Sequence, residues 1–143
     1  NIYPQQEYDV RKHELKRFLE AQNVPYVEDE YDHHEWLSVI KGLEDEPERG
    51  SRCSVCFQFR LSHAAKYAQE HGFHLLTTTL ASSRWKNIRQ IDAAGHLAVE
   101  AYPDVEWWDM NWRKGGLQNR RGELLRINEF YNQLYCGCEF SMR

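Results

Sequence analysis

Apolar residues recur at helical spacing over several stretches of this chain and gather into short β-branched runs between them. Pro4 followed by QQEYDVRKHELKRFLEAQN sets Val10, Leu15, Phe18 and Leu19 in a rough stripe, which predicts a helix opening on proline and ending at Asn23. VPYVEDEY reads as a short strand and HHEWLSVIKG as a short helix stopped by Gly42. LEDEPERGSR carries acids, Pro47 and Gly50 and predicts a loop, in which Glu44, Asp45 and Glu46 offer caps for the next element. From Cys53 a helix runs through Phe57, Leu61, Ala64, Ala65 and Ala68, with Gly72 just past its end. FHLLTTTL has the content of a buried strand, and SRWKNIRQIDAAGHLAVEAY that of a helix with Ile88, Ile91, Ala94 and Ala98 on one side. VEWWDMNW predicts a strand, RKGGLQNRRG a polar loop, and ELLRINEFYNQLY a final helix delivering the last two cysteines. Strand and helix alternate, which argues for a layered α/β domain with a mainly parallel sheet.

Length and charge narrow the picture only slightly. A chain of 143 residues can bury a useful core as one α/β domain, 1–143. It holds neither a long apolar run nor a secretory signal, so a reducing cytoplasm is the expected setting, with no membrane partner. The net charge of −4 hides an uneven distribution. Residues 26–48 hold nine carboxylates against Lys41, whereas 113–126 hold Arg113, Lys114, Arg120, Arg121 and Arg126 against Glu123. A polyanion prefers the second surface.

The chemistry-bearing residues are the cysteines. All four fall in two tight pairs, Cys53 and Cys56 in SRCSVCFQFR and Cys136 and Cys138 in LYCGCEFSM. Cys-x-x-Cys at a helix start suits ligation because unpaired N–H groups there favour the thiolate. Gly137 permits the sharp turn that aims two neighbouring sulfurs at one centre. Metal or cluster ligation, a dithiol redox pair and incidental cysteines are the three readings, and by count alone four thiolates suit zinc as well as a [4Fe–4S] cluster. A zinc ribbon keeps its pairs closer than the 80 residues (136 minus 56) that separate these. The seven histidines show no HExxH, so no zincin site is expected. Trp107 and Trp108 read as packing residues.

Whole segments carry a more specific signal. GLEDEPERGSRCSVCFQFRLSHAA, TTTLASSRWKNIRQI and YNQLYCGCEFS resemble the QueH-type epoxyqueuosine reductase family, and NIYPQQEYDVRKHELKRFL is similar to that family's segment after its second strand. The likeness covers nearly the whole chain in order. It implies a cytoplasmic oxidoreductase of tRNA modification that reduces the epoxide of the queuosine precursor at the anticodon wobble position. It also implies a [4Fe–4S] cluster, a further iron close by, and an external electron donor such as a ferredoxin or reductase. Cys53, Cys56, Cys136 and Cys138 are the expected ligands. A zinc-stabilised RNA-binding module without redox activity is the alternative.

Two departures from the family pattern stand out. The family opens with a strand leading into a CC-x-P-C segment, and the chain begins instead at NIYPQQEY; we expect an N-terminal strand and helix to be missing from it. The family's YRQNYCGC reads YNQLYCGC here, with Asn132 and Leu134 in place of arginine and asparagine. Given the resemblance, Arg84, Trp85 and Lys86, just after TTTL at the ligand-binding end of a parallel strand, are the expected RNA contacts. Lys114, Arg120 and Arg121 are further phosphate contacts. Fold-level analogy points to a three-layer Rossmann-like (nucleotide-hydrolase-like) domain, though no phosphate-cradling glycine loop argues for ATP.

Overall fold

A computed structural model describes residues 1–142. The chain runs α1 (Gln5–Ala21), α2 (His33–Val39), α3 (Ser51–Glu70), β1 (Leu75–Leu76), α4 (Ile88–Val99), β2 (Glu106–Trp107) and α5 (Leu117–Ile127), with 3-10 turns at Thr79–Ser82 and Glu139–Ser141. It divides into two compact units, Glu46–Leu124 and Asn1–Asp45 with the segment from Leu125 onward.

Glu46–Leu124 is an α/β unit built on one crossover. β1 and β2 pair in parallel, Leu75 opposite Glu106 and Leu76 opposite Trp107, and α4 makes the connection between them. Glu106 N–H donates to the His74 carbonyl at 2.9 Å and Trp108 N–H to that of Leu76 at 2.8 Å. A parallel pair needs such a crossover, and its helix packs back on the sheet to bury its apolar stripe. Phe57, Leu61 and Ala65 of α3 meet Ile91, Ala94 and Ala98 of α4, with Leu80 and Trp107 closing the core. The predicted inner faces of both helices are thus the ones buried. Gly95 lies on that face of α4 because Trp107 occupies the place of a side chain: an added Cβ would sit 2.5 Å from Trp107 Cζ2.

The strands are shorter than FHLLTTTL and VEWWDMNW predict. Pairing stops at Leu76, because Thr78 Oγ1 accepts the Leu80 N–H at 3.2 Å and turns the chain into the 3-10 segment. α4 starts later than predicted, at Ile88, where Asn87 Oδ1 accepts the Arg89 N–H at 3.0 Å as an N-cap. Gly72 adopts φ +70 just beyond α3, the left-handed geometry expected of a helix stop.

In the other unit, α1 is set by its charges more than by its apolar residues. None of its residues is buried, and Val10 and Leu15 of the predicted stripe are exposed. VPYVEDEY is not a strand: residues 24–31 lack regular structure, and nearly all are exposed. Ladder pairing is replaced there by side chains, with Glu28 accepting from Lys12 Nζ at 2.8 Å and from the Tyr8 hydroxyl at 3.0 Å. The bond from Lys12, then that from Tyr8, holds the Glu28 carboxyl below the usual carboxylate range. α2 carries the buried Trp36 and is followed by the buried Ile40 and by Gly42 at φ +86.

The last helix is displaced from its predicted place. It begins at Leu117, directly after the positive-φ pair Gly115 and Gly116, and ends at Ile127 before Glu129 turns to φ 51. The cysteines therefore emerge from an irregular segment instead of a helix. That segment is tied to α1: Arg17 Nη2 donates to the Asn128 carbonyl at 2.9 Å, the Tyr131 hydroxyl donates to Glu7, and Phe18 packs on Phe130 with ring centroids 4.7 Å apart.

Candidate functional site

All four cysteines are thiols, and each unit contributes one pair. Cys53 and Cys56 stand one turn apart on one face of α3, Cys56 buried and Cys53 partly so. The start of this helix is built by residues that converge on it. Glu46 Oε2 accepts the Ser51 N–H at 2.8 Å, one of the caps expected of the acidic loop. A Cβ at Gly50 would lie 2.5 Å from that oxygen, so glycine is required there. Gln90 of α4 donates through Nε2 to the Arg49 carbonyl at 2.8 Å and to Ser54 Oγ at 2.9 Å. The Arg49 N–H in turn donates to Cys53 Sγ at 3.2 Å, so the thiol accepts from a backbone whose position is fixed.

Cys136 and Cys138 flank Gly137, which turns with φ +110 as predicted for that glycine. Arg11 of α1 holds the turn. Its Nη1 donates to the Cys136 carbonyl and its Nη2 to the Tyr135 carbonyl, each at 3.0 Å, while Nε pairs with Glu7 at 2.8 Å. The Tyr3 N–H donates to the Gly137 carbonyl at 2.8 Å. A Cβ at residue 137 would lie 2.8 Å from Arg11 Nη1, so the motif's glycine makes room for the guanidinium as well as for the turn. His33 Nε2 meets Glu139 Oε1 at 2.9 Å beside the pair. Among the described residues, no three His, Cys, Asp or Glu side chains group to hold a metal, so each unit taken alone offers a thiol pair.

Arg84, Trp85 and Lys86 lie on a turn between the 3-10 segment and α4, at the carboxyl end of β1. Trp85 is 69 % exposed, and the Arg84 guanidinium lies over its ring at 5.0 Å from the centroid. Lys114, Arg120 and Arg121 are exposed, and Arg120 pairs with Glu123 at 2.7 Å. Trp107 is buried as predicted, whereas Trp108 is half exposed and edge-packed on Trp112.

Asp92 on α4 was not singled out by any motif. Burial pushes its carboxyl up, and the negative charge of Asp109 adds to this. The folded chain then holds the Asp92 proton more tightly than the unfolded chain. Its contribution to stability is full below the ordinary carboxylate value and is lost as pH rises through the raised folded value. Asp92→Asn is therefore expected to raise the melting temperature at neutral pH, with the gain shrinking toward about pH 4. A lower melting temperature for the variant at neutral pH would overturn this.

The residues that sequence reasoning missed are Arg11, Arg49 and Gln90, and it read Arg113 only as part of a basic surface. They act through backbone carbonyls, which leave no spacing signature.

Comparison with known proteins gives this arrangement a family. The family model described as epoxyqueuosine reductase QueH matches residues 1–143. The chain is 49 % identical to the epoxyqueuosine reductase QueH of Histophilus somni over 143 residues, covering all of this chain and 59 % of that protein. It is 47 % identical to the protein of that name from Acinetobacter baylyi, covering all of this chain and 66 % of the relative. To the Thermotoga maritima protein it is 32 % identical over 145 residues, covering 99 % of this chain and 75 % of the relative. The chain thus spans 59 % and 66 % of the length of the first two relatives. With the match running from its first residue to its last, the chain belongs to the epoxyqueuosine reductase QueH family.

Proposed function

We propose that this protein reduces the epoxide of epoxyqueuosine in tRNA to the cyclopentene of queuosine, as an iron–sulfur oxidoreductase of the cytoplasm. The observation that carries the reading is the pair of thiols in each unit, each held by its own framework, in a chain of this family. Thiolates are soft donors that suit iron–sulfur clusters. Cys53, Cys56, Cys136 and Cys138 would hold a [4Fe–4S] cluster and an additional iron. When bound, that centre supplies the electrons and a Lewis acid for the epoxide oxygen.

Opening an epoxide to an alkene consumes two electrons and two protons, breaks both C–O bonds and releases water. No nicotinamide or flavin fingerprint stands in the sequence, so an external ferredoxin or reductase is the proposed electron donor. The chain's own work is to hold the substrate. Arg84 and Lys86 offer charge to phosphates of the anticodon region and Trp85 a face to a base, with Lys114, Arg120 and Arg121 as further phosphate contacts. We place the parallel pair within a three-layer Rossmann-like (nucleotide-hydrolase-like) sheet, a reading that the crossover through α4 supports. Among the described residues, no helix is long and apolar enough to cross a membrane.

The test is anaerobic purification of the full-length protein, with iron, zinc and sulfide measured, followed by incubation with epoxyqueuosine-bearing tRNA and dithionite. A brown protein with broad absorbance near about 400 nm that forms queuosine is the expected result. Colourless protein with one tightly bound zinc and no conversion would overturn it in favour of the RNA-binding module.

A further inference from the structure

Three carbonyls in a single short turn are spoken for by two arginines. Arg113 Nη1 donates to the carbonyls of Ser83 and Lys86, each at 3.3 Å, and Arg49 Nε donates to the Trp85 carbonyl at 2.9 Å. Arg113 is itself anchored, its backbone N–H on Asn111 Oδ1 at 3.1 Å and its Nε on the same oxygen at 3.4 Å. The turn is thus fixed from both sides, and the residue at its tip is an exposed tryptophan. Arg84 covers one face of the Trp85 ring.

We infer that Trp85 is a stacking platform for an unpaired nucleobase of the RNA, and that Arg113 and Arg49 are positioning residues that hold it in place through the backbone of its turn. This rests on the tRNA reading above and names the part of the substrate that the turn takes.

Charge selects the occupant. Residues 71–91 contain no Asp or Glu but carry Arg84, Lys86 and Arg89; the Arg84 guanidinium lies against the exposed Trp85 ring, while the Lys86 ammonium lies over Phe57. A flat aromatic face beside an arginine suits single-stranded nucleic acid, since every base has a π-face and a neighbouring cation can meet its phosphate. Fixing the backbone beforehand removes ordering cost from binding. Arg49 also ties the platform to the thiols, because its N–H donates to Cys53 Sγ while its guanidinium holds Trp85. A base stacked on Trp85 is therefore held by the same residue that touches the proposed metal ligand.

The experiment measures binding of the full-length protein to an RNA hairpin with an unpaired loop and to a blunt duplex of the same stem, by fluorescence anisotropy. Trp85→Ala is expected to weaken hairpin binding about tenfold and to leave duplex binding unchanged, with Trp85→Phe close to wild type. Arg113→Ala is expected to weaken hairpin binding by a smaller factor, and that loss should vanish in a Trp85→Ala background, because Arg113 acts through the ring. Equal loss on hairpin and duplex, or no loss in Trp85→Ala, would overturn the platform. An undiminished Arg113→Ala effect in the double variant would overturn the positioning role. Wild-type protein that ignores the hairpin removes this inference together with the tRNA reading. Binding requires no turnover, so a protein that shows the pattern yet fails to reduce the epoxide loses only the proposed reaction.

Discussion

Gly95→Ala is expected to destabilise the protein by about 2 kcal/mol, lowering its melting temperature by roughly 7 °C. The change would ordinarily help, since alanine in a helix interior is favoured over glycine by about 1 kcal/mol. Here the new methyl meets Trp107, whose ring is only 6 % exposed and is enclosed by the core of Phe57, Leu61, Ile91 and Ala94. Relief requires β2 to shift or the ring to leave its place, and either opens contacts that α3 and α4 share. Gly122 in α5 supplies the control: a Cβ there meets nothing within 4 Å, so Gly122→Ala is expected to be neutral or mildly stabilising. A melting temperature for Gly95→Ala at or above wild type would remove the claim that Trp107 dictates glycine at this position. Trp107→Leu should reduce the cost of Gly95→Ala, which separates a clash from any effect of glycine on the unfolded chain.

The helices of the α/β unit were legible because period and punctuation agreed. Phe57, Leu61, Ala65 and Ala68 mark the inner face of α3, and Ile91, Ala94 and Ala98 that of α4. Gly42, Gly72 and Asn23 stop their helices at positive φ, a local preference that needs no tertiary information. What failed was the reading of apolar content as regular structure. TTTL looks like strand, yet threonine hydroxyls bind nearby backbone here: Thr78 turns the chain, and Thr77 Oγ1 donates to the Trp108 carbonyl at 3.1 Å. Leu134 belongs to a stretch that reads as an amphipathic helix, but it is 92 % exposed on irregular chain after α5. The pair of glycines at 115 and 116 begins the helix earlier than the apolar pattern implies, and the turn at Glu129 ends it earlier.

The site divides in the same way. Paired thiols and a basic, aromatic turn are visible as letters, and the structure places Arg84, Trp85 and Lys86 together on one turn. The residues that set their geometry are invisible as letters. Arg11 reaches the Cys136 carbonyl across 125 positions, and any residue at 136 would present the same carbonyl. Arg113 and Gln90 likewise bind peptide oxygens or a serine hydroxyl from distant positions. A motif search finds donors of chemistry; contacts to backbone require coordinates.

Cys53→Ala in the full-length protein, purified anaerobically, is expected to lose nearly all bound iron and all epoxide reduction while keeping its helical content. Two facts separate ligand loss from misfolding. Alanine is the best helix former and keeps the Cβ that packs beside the core, so α3 is expected to stand. The bond lost is one backbone N–H to sulfur at 3.2 Å, worth about 1 kcal/mol or less, and Gln90 and Glu46 still fix the start of the helix. On the proposed ligand assignment, Cys136→Ala, in the turn that Arg11 holds, should likewise lose iron. If the cysteines only staple the fold around zinc, both variants should instead melt far below wild type, since metal binding is then folding free energy. If Cys53 and Cys56 are a redox dithiol, thiol titration should show reversible loss of two thiols with no metal present. Full iron and full activity in Cys53→Ala would place the centre on other residues and end the ligand assignment.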